Sequence, residues 1–167
     1  MSSPAPASPE AATLPRAVGT DPYRFDDPTW LAAPATLAGR ARPGQPKESA
    51  PFWEGLRNGR VLFQRCSACR RYTYYPAVAC QWCGGEVAYE EVDGLATVNT
   101  FAPCYLEFGP GNVPPYVVAI VNPNCEPDLQ VMTNLVNCRI ADIRIGMPVQ
   151  PRIVVDADYA MLLYEPS

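Results

Sequence analysis

Cys66-Ser-Ala-Cys69 and Cys80-Gln-Trp-Cys83 decide the fold of this chain. They are two C-x-x-C hooks with ten residues between them, and Gly84-Gly85 follow the second. Each hook places two sulfurs on one side of a tight loop. Two hooks facing each other supply four thiolates at the corners of a tetrahedron, the closed geometry of a structural zinc site with Zn–S bonds of about 2.3 Å. Glycine after a hook lets the backbone turn with positive φ and approach the sulfurs. Iron in an S4 site uses the same geometry, and the ligands alone do not separate the two metals. A thioredoxin-like redox pair would need one hook near a βαβ unit, and none is visible. Two disulfides would need an oxidising compartment. The doubled spacing therefore points to one metal ion, zinc ahead of iron, on Cys66, Cys69, Cys80 and Cys83. Four protein sulfurs leave no open position for water or substrate, so the role expected of the ion is structural.

The flanks extend the hooks into a small module. PFWEGLRN, residues 51–58, predicts a short helix, with Pro51 in its first turn, an apolar side of Phe52, Trp53 and Leu56, and Gly59 as its stop. RVLFQR (60–65) predicts a strand leading into the first hook, and EVAYEE (86–91) a strand leaving the second. A ribbon of about forty residues is too small to fold on apolar burial alone, so metal binding is expected to supply much of its folding free energy.

Beyond the Asp93-Gly94 turn the chain becomes short strands, predicted at 95–102, 116–122, 129–136, 149–155 and 159–164. Their separators are GPGNVPP, NPNCEPD, GMP and DAD, rich in turn residues. Residues 138–145 break the run and predict one helical turn. Five strands with a helical insert between the third and fourth suggest a Greek-key barrel of the OB type, although periodicity alone says only barrel or sandwich. The fold class expected is mainly β, and the domains expected are a leader over 1–50, the helix and zinc ribbon over 51–91, and the OB-fold over 92–167.

Residues 1–50 are rich in proline and alanine and sustain no apolar period. They read as a disordered or loosely extended, mostly irregular leader. Tyr23, Phe25, Trp30 and Leu31 support a competing reading, an arm that lies on a partner or on its own domain. No cationic start and apolar stretch of a signal peptide is present in residues 1–20. The longest strongly apolar run, Tyr116–Val121, is six residues, far short of the ~20 of a membrane span. Seven cysteines without an export signal point to a reducing compartment, the cytoplasm.

Composition excludes several kinds of chemistry. There is no histidine, hence no Ser-His-Asp or Cys-His triad and no imidazole base. Arg57, Arg60, Arg65, Arg70 and Arg71 give residues 51–85 a net charge of +4 against Glu54 alone. Residues 86–167 carry three arginines against eleven carboxylates, net −8. That charge opposes the phosphate contacts that dominate nucleic-acid affinity, so no nucleic-acid partner is expected. Cys104, Cys125 and Cys138 read as small buried or loop residues. Tyr74, Tyr75, Tyr105, Tyr116 and Tyr159 read as core edges or contact surface, and Glu107, Asp142 and Asp156 as solvated turn carboxylates. No catalytic residue is assigned.

The order PFWEGLRNGRVLFQRCSACRRYTYYPAVACQWCGG, VPPYVVAIV, LQVMTNLVNC and DIRIGMPVQPRIV resembles the DUF35 family over about residues 51–167. The resemblance implies a rubredoxin-like zinc ribbon followed by an OB-fold, with Cys66, Cys69, Cys80 and Cys83 as zinc ligands. It also implies a partner: a thiolase, a thiolase-like aldolase or a MaoC-type enoyl-CoA hydratase acting on CoA thioesters. In steroid side-chain degradation such a pair performs a retro-aldol cleavage. The chain is then expected to be a non-catalytic subunit, in a two-plus-two assembly, with acyl-CoA bound mainly by the partner. The five ribbon arginines are candidates for contacts to acidic partner surface or to CoA phosphates.

Overall fold

The computed structural model describes residues 24–109, 111–157 and 159–167. Tyr23 and the rest of the expected leader before Arg24 lie outside the described residues, as do Pro110 and Asp158. In chain order the elements are β1 (Trp30–Leu31), α1 (Ala50–Arg57), β2 (Val61–Cys66), β3 (Tyr72–Thr73), β4 (Val87–Val92), β5 (Ala96–Cys104), β6 (Tyr116–Pro123), β7 (Val131–Leu135), β8 (Cys138–Arg139), β9 (Pro148–Val155) and β10 (Ala160–Pro166). Single 3-10 turns occupy Lys47–Ser49 and Ile140–Asp142.

Helix α1 buries Phe52, Trp53, Gly55 and Leu56. It ends where the sequence stops it. Gly59 takes φ +72, its N–H donates to Leu56 O at 3.0 Å, and the Arg60 N–H donates to Gly55 O at 2.8 Å. These are the paired bonds of a Schellman end, which satisfy carbonyls the helix leaves open. The chain then reverses into β2, which pairs antiparallel with β4 along its whole length and with β3 at Gln64↔Thr73 and Arg65↔Tyr72. The resulting three-stranded sheet, ordered β3-β2-β4, carries the hooks.

The remaining strands close a barrel in the order β10-β7-β6-β5-β9. β5-β6, β6-β7, β5-β9 and β9-β10 are antiparallel, whereas β7 and β10 run parallel at Leu135↔Tyr164. This connectivity, with a 3-10 turn between the third and fourth barrel strands, is the OB-type Greek key, so the choice left open by periodicity falls to the barrel. Strict alternation in β6 sends Val117, Ala119 and Val121 inward.

One continuous core joins the parts: Phe52 and Leu56 of α1, Val61 and Phe63 of β2, and barrel residues including Val98, Val121, Leu135 and Tyr164.

The leader from Arg24 to Ser49 is irregular in backbone, but the reading of it as disordered or loosely extended does not hold there. Phe25 packs edge-on to Phe101 with centroids 5.9 Å apart. β1 pairs with β8. Leu37 is buried with Val136, Val154, Tyr159 and Leu163. Asp156, read from sequence as a solvated turn carboxylate, anchors this strap: it accepts from Thr36 Oγ1 at 2.6 Å and from the Leu37 N–H at 2.8 Å. Further on, Tyr75 OH donates to Gly44 O and Tyr89 OH to Glu48 O. The strap thus crosses from the barrel to the ribbon. A short polar stretch with isolated large apolar residues lacks the period by which sequence reveals such packing.

Candidate metal centre

The first hook closes as β2 ends. Cys66 N–H donates to Arg71 O at 2.9 Å, Arg70 N–H donates to Cys66 O at 3.1 Å, and Arg70 takes the left-handed φ of +63. The second hook repeats the pattern. Cys80 N–H donates to Gly85 O at 2.8 Å, Gly84 N–H donates to Cys80 O at 2.9 Å, and Gly84 takes φ +74. The reversal that glycine makes without strain in the second hook is made by an arginine in the first.

Facing each other, the hooks bring four sulfurs together. The Sγ atoms of Cys66, Cys69, Cys80 and Cys83 all lie within 4.8 Å of one another. Cys66 and Cys83 are 3.5 Å apart, Cys69 and Cys80 3.6 Å. A tetrahedron with metal–sulfur bonds of ~2.3 Å has edges of about 3.8 Å. The dimensions and the all-sulfur donor set fit a structural metal ion. Cys66 and Cys80 are buried, Cys69 is half-buried and Cys83 is exposed. Gly85 completes the cradle: a Cβ there would stand 3.0 Å from Cys66 Sγ and 3.3 Å from Cys83 Sγ. Among the described residues no other group of histidine, cysteine or carboxylate side chains has this arrangement.

The protonation of the cluster is divided. Burial opposes ionisation of Cys80, but the N–H groups of Trp82 and Cys83 with the neighbouring side chains bring its thiol down to about 6. The Cys69 N–H lowers Cys66. Cys69 is pushed up to about 12: the Arg71 N–H favours its thiolate, but burial and the other three sulfurs outweigh it. Four neighbouring thiols do not all ionise unaided; a bound divalent cation would hold all four as thiolates.

The ribbon arginines fall into two groups. Arg60 pairs with Glu91 at 2.8 Å, Arg65 with Glu90 at 3.0 Å, Arg70 with Glu90 at 3.9 Å, and Arg71 with Glu126 at 3.0 Å and Asp128 at 2.6 Å. Arg57, at the end of α1, is exposed and has no ion pair among the described residues. One structural part of this site is not picked out from sequence: the Arg71 guanidinium lies over the Trp82 ring, 3.6 Å from its centroid. The Gly84-Gly85 pair does carry its signal, Gly84 taking the positive φ and Gly85 the close approach to the sulfurs, whereas the stack joins the hooks through space and leaves none.

Of the cysteines outside the hooks, Cys125 is half-buried and Cys138 buried. Burial raises the thiols of Cys125 and Cys138 to about 11, which keeps them protonated and unreactive. Tyr159 is buried with its hydroxyl donating to Leu37 O. No helix is long and apolar enough to cross a membrane among the described residues.

Comparison with known proteins matches these two parts separately. Residues 53–90 match the model described as "ChsH2, rubredoxin-like zinc ribbon domain", and residues 89–154 the one described as "ChsH2, C-terminal OB-fold domain". A solved chain titled "Ltp2-ChsH2(DUF35) aldolase" is similar with a TM-score of 0.67 and 28% identity, over 75% of this chain and 98% of that one. A DUF35 protein of unknown function from Sulfolobus solfataricus shares the fold, with a TM-score of 0.51 and 16% identity over 70% of this chain and 83% of the other. Among curated proteins, a "Probable enoyl-CoA hydratase alpha subunit" of Thermomonospora curvata is 32% identical over 111 residues, 66% of this chain and 34% of its own length. The "3-oxo-4,17-pregnadiene-20-carboxyl-CoA hydratase alpha subunit" of Mycobacterium tuberculosis is 28% identical over 129 residues, 75% of this chain and 40% of its own. The chain therefore spans between a third and two-fifths of these curated relatives. With a ribbon matched to 53–90, an adjoining OB-fold matched to 89–154 and a four-cysteine cluster between facing hooks, the chain belongs to the DUF35 family.

Proposed function

We propose that this chain is a non-catalytic accessory subunit of a thiolase-like enzyme acting on acyl-CoA, with an aldolase that cleaves a steroid side-chain CoA thioester as the leading partner. The observation that carries the reading is the similarity to ChsH2 of the Ltp2-ChsH2(DUF35) aldolase, which extends over nearly all of that chain. The absence of histidine and of any base–nucleophile pair in the sequence agrees with chemistry being done elsewhere. In this reading one zinc ion per chain sits on Cys66, Cys69, Cys80 and Cys83 and acts structurally. The leader (1–50), ribbon (51–91) and OB-fold (92–167) form one docking platform, acyl-CoA is bound mainly by the partner, and the assembly is two-plus-two in the cytoplasm. Arg57 stands free for a partner or CoA phosphate. Arg60, Arg65, Arg70 and Arg71 would have to share or leave their carboxylates to take that role.

Co-expression with the thiolase-like protein of the same host tests the proposal. The expected result is a stable complex that performs retro-aldol cleavage of a CoA thioester, while the isolated chain turns over nothing. Turnover by the isolated chain, or no complex with such a protein, contradicts it.

A second reading is favoured by the names of the curated relatives, both hydratase alpha subunits. There the partner is a MaoC-type hydratase, and the same complex would hydrate an enoyl-CoA instead.

A further inference from the structure

One side chain joins both hooks to the barrel. Arg71 belongs to the first hook through its backbone, since its carbonyl accepts the Cys66 N–H. Its guanidinium lies over the indole of Trp82, inside the second hook, 3.6 Å from the ring centroid. The same guanidinium donates from Nε and Nη2 to Glu126 at 3.2 and 3.0 Å, and from Nη2 to Asp128 at 2.6 Å. Glu126 and Asp128 stand on the loop between β6 and β7. The Glu126 side chain is only 12% exposed, and it also accepts the Tyr72 N–H from β3 at 3.4 Å. The loop turns on a bond from the Leu129 N–H to Glu126 O at 2.9 Å, with the Leu129 side chain buried.

We infer that Arg71 is a clasp that couples ion binding at the four cysteines to the docking of the β6–β7 loop on the ribbon. The inference rests on the reading that the cysteines hold a metal ion. The stack on Trp82 exists only while the second hook is closed on the first. The Trp82 indole N–H, which donates to Tyr72 O at 2.8 Å, and the Ser67 N–H, which donates to Glu86 O at 2.9 Å, help to join the two, and the four facing sulfurs are where an ion would lock them. A guanidinium is planar, so it can lie flat on the indole and present a two-pronged edge to Glu126 at once; an ammonium does neither. When the hooks part, Trp82 leaves the face of Arg71 and the grip on Glu126 loses its backing. Arg71, Trp82, Glu126 and Asp128 stand outside the core shared by α1, β2 and the barrel, although Leu129 belongs to that core and Tyr72 packs against it. The release therefore reaches the ribbon and the β6–β7 loop and leaves the central barrel strands closed. Coupling is reciprocal: a clasp through which the ion orders the loop is one through which the loop tightens the ion.

The test is hydrogen exchange of the full chain, zinc-loaded and after removal of zinc by a chelator, with metal content measured in both states. The amides of Tyr72 and Leu129 are expected to exchange about 10-fold faster or more without zinc, within the 5–150-fold range usual for coupled sites. Those of Val117–Val121 are expected to hold. Glu126→Gln leaves every ribbon residue in place; it should exchange quickly at Leu129 in both states and give up zinc to a competing chelator about 10-fold more readily. Arg71→Lys should behave likewise. Unchanged exchange at Leu129 on zinc removal, or wild-type zinc affinity in Glu126→Gln, overturns the clasp while leaving the metal site intact. A chain that retains no zinc by elemental analysis removes the metal-site reading and the clasp with it.

Discussion

Replacing Gly85 by alanine adds one methyl group at the tightest point of the metal centre. The new Cβ would lie 3.0 Å from Cys66 Sγ, 3.2 Å from Ala68 Cβ and 3.3 Å from Cys83 Sγ. Ordinary carbon contacts sit at about 3.5–4.0 Å, so all three neighbours must yield by several tenths of an ångström. Two of them are sulfurs that a bound ion fixes, and the third is a Cβ with no rotamer to change. Overpacking of this kind costs about 1–3 kcal/mol. The strain falls on the loaded state, because parted hooks relieve it, so it appears as weaker ion binding. At 1.4 kcal/mol per factor of ten, that is about 5–150-fold. Gly85 lacks the left-handed φ found at Gly84, so the alanine backbone is unstrained and the methyl group alone is tested. Competition between the protein and a colorimetric zinc chelator reads the affinity directly. Gly84→Ala is the control: it meets nothing within 4 Å but must hold φ +74, a strain of about 1–2 kcal/mol. Arg70 bears the same strain in the first hook. Gly85→Ala with wild-type zinc affinity would refute the reasoning, since the sulfurs would then not be where the cradle requires them.

Other predictions follow from the core and the strap. Phe52→Ala removes a 1% exposed ring from the joint of helix, ribbon and barrel and should lower stability by about 3–5 kcal/mol in urea unfolding; a loss below 1 kcal/mol would mean the shared core is not formed. Tyr164 is fully buried and its hydroxyl has no partner among the described residues. Tyr164→Phe should therefore leave the melting temperature unchanged or raise it, and a clear fall would reveal a partner for that oxygen. The Thr36 hydroxyl, with the Ala157 and Leu37 N–H groups, holds the Asp156 carboxyl below its usual range. A depressed folded-state value stabilises the strap above the ordinary aspartate range of about 3.9 and is lost as pH falls through the lower folded value. NMR shifts of the Leu37 amide should report release in acid, and Asp156→Asn should abolish that transition; an acid transition that survives the substitution would assign it to another group.

The parts of this molecule legible in its sequence are those set by local chemistry. The hooks declare themselves by spacing. Helix α1 is visible from Pro51 to Gly59. The five barrel strands lie within a few residues of their expected positions, because β6 alternates strictly and the separators carry the turn residues. What stayed hidden depends on contacts across long separations. The pairing of β1 with β8 joins Trp30 to Arg139, and two residues per strand leave no period to detect. The strap is held by Asp156, 120 residues from Thr36. Arg71 reads as one of five ribbon charges, and only the fold reveals that Glu126 and Asp128 meet it. Arg70 hides for a different reason: its left-handed φ occupies a place where glycine is the expected signal.

The most direct test of the central claim, that a sulfur-bound ion organises a platform without chemistry of its own, is elemental analysis of the purified chain beside its Cys69→Ser variant. The account predicts about one zinc per chain in the first. In the variant it predicts loss of the metal together with an unfolded ribbon, read by exchange of the β2 and β4 amides. A wild-type chain that is free of metal and fully ordered, or a variant without metal whose ribbon remains folded, would contradict it.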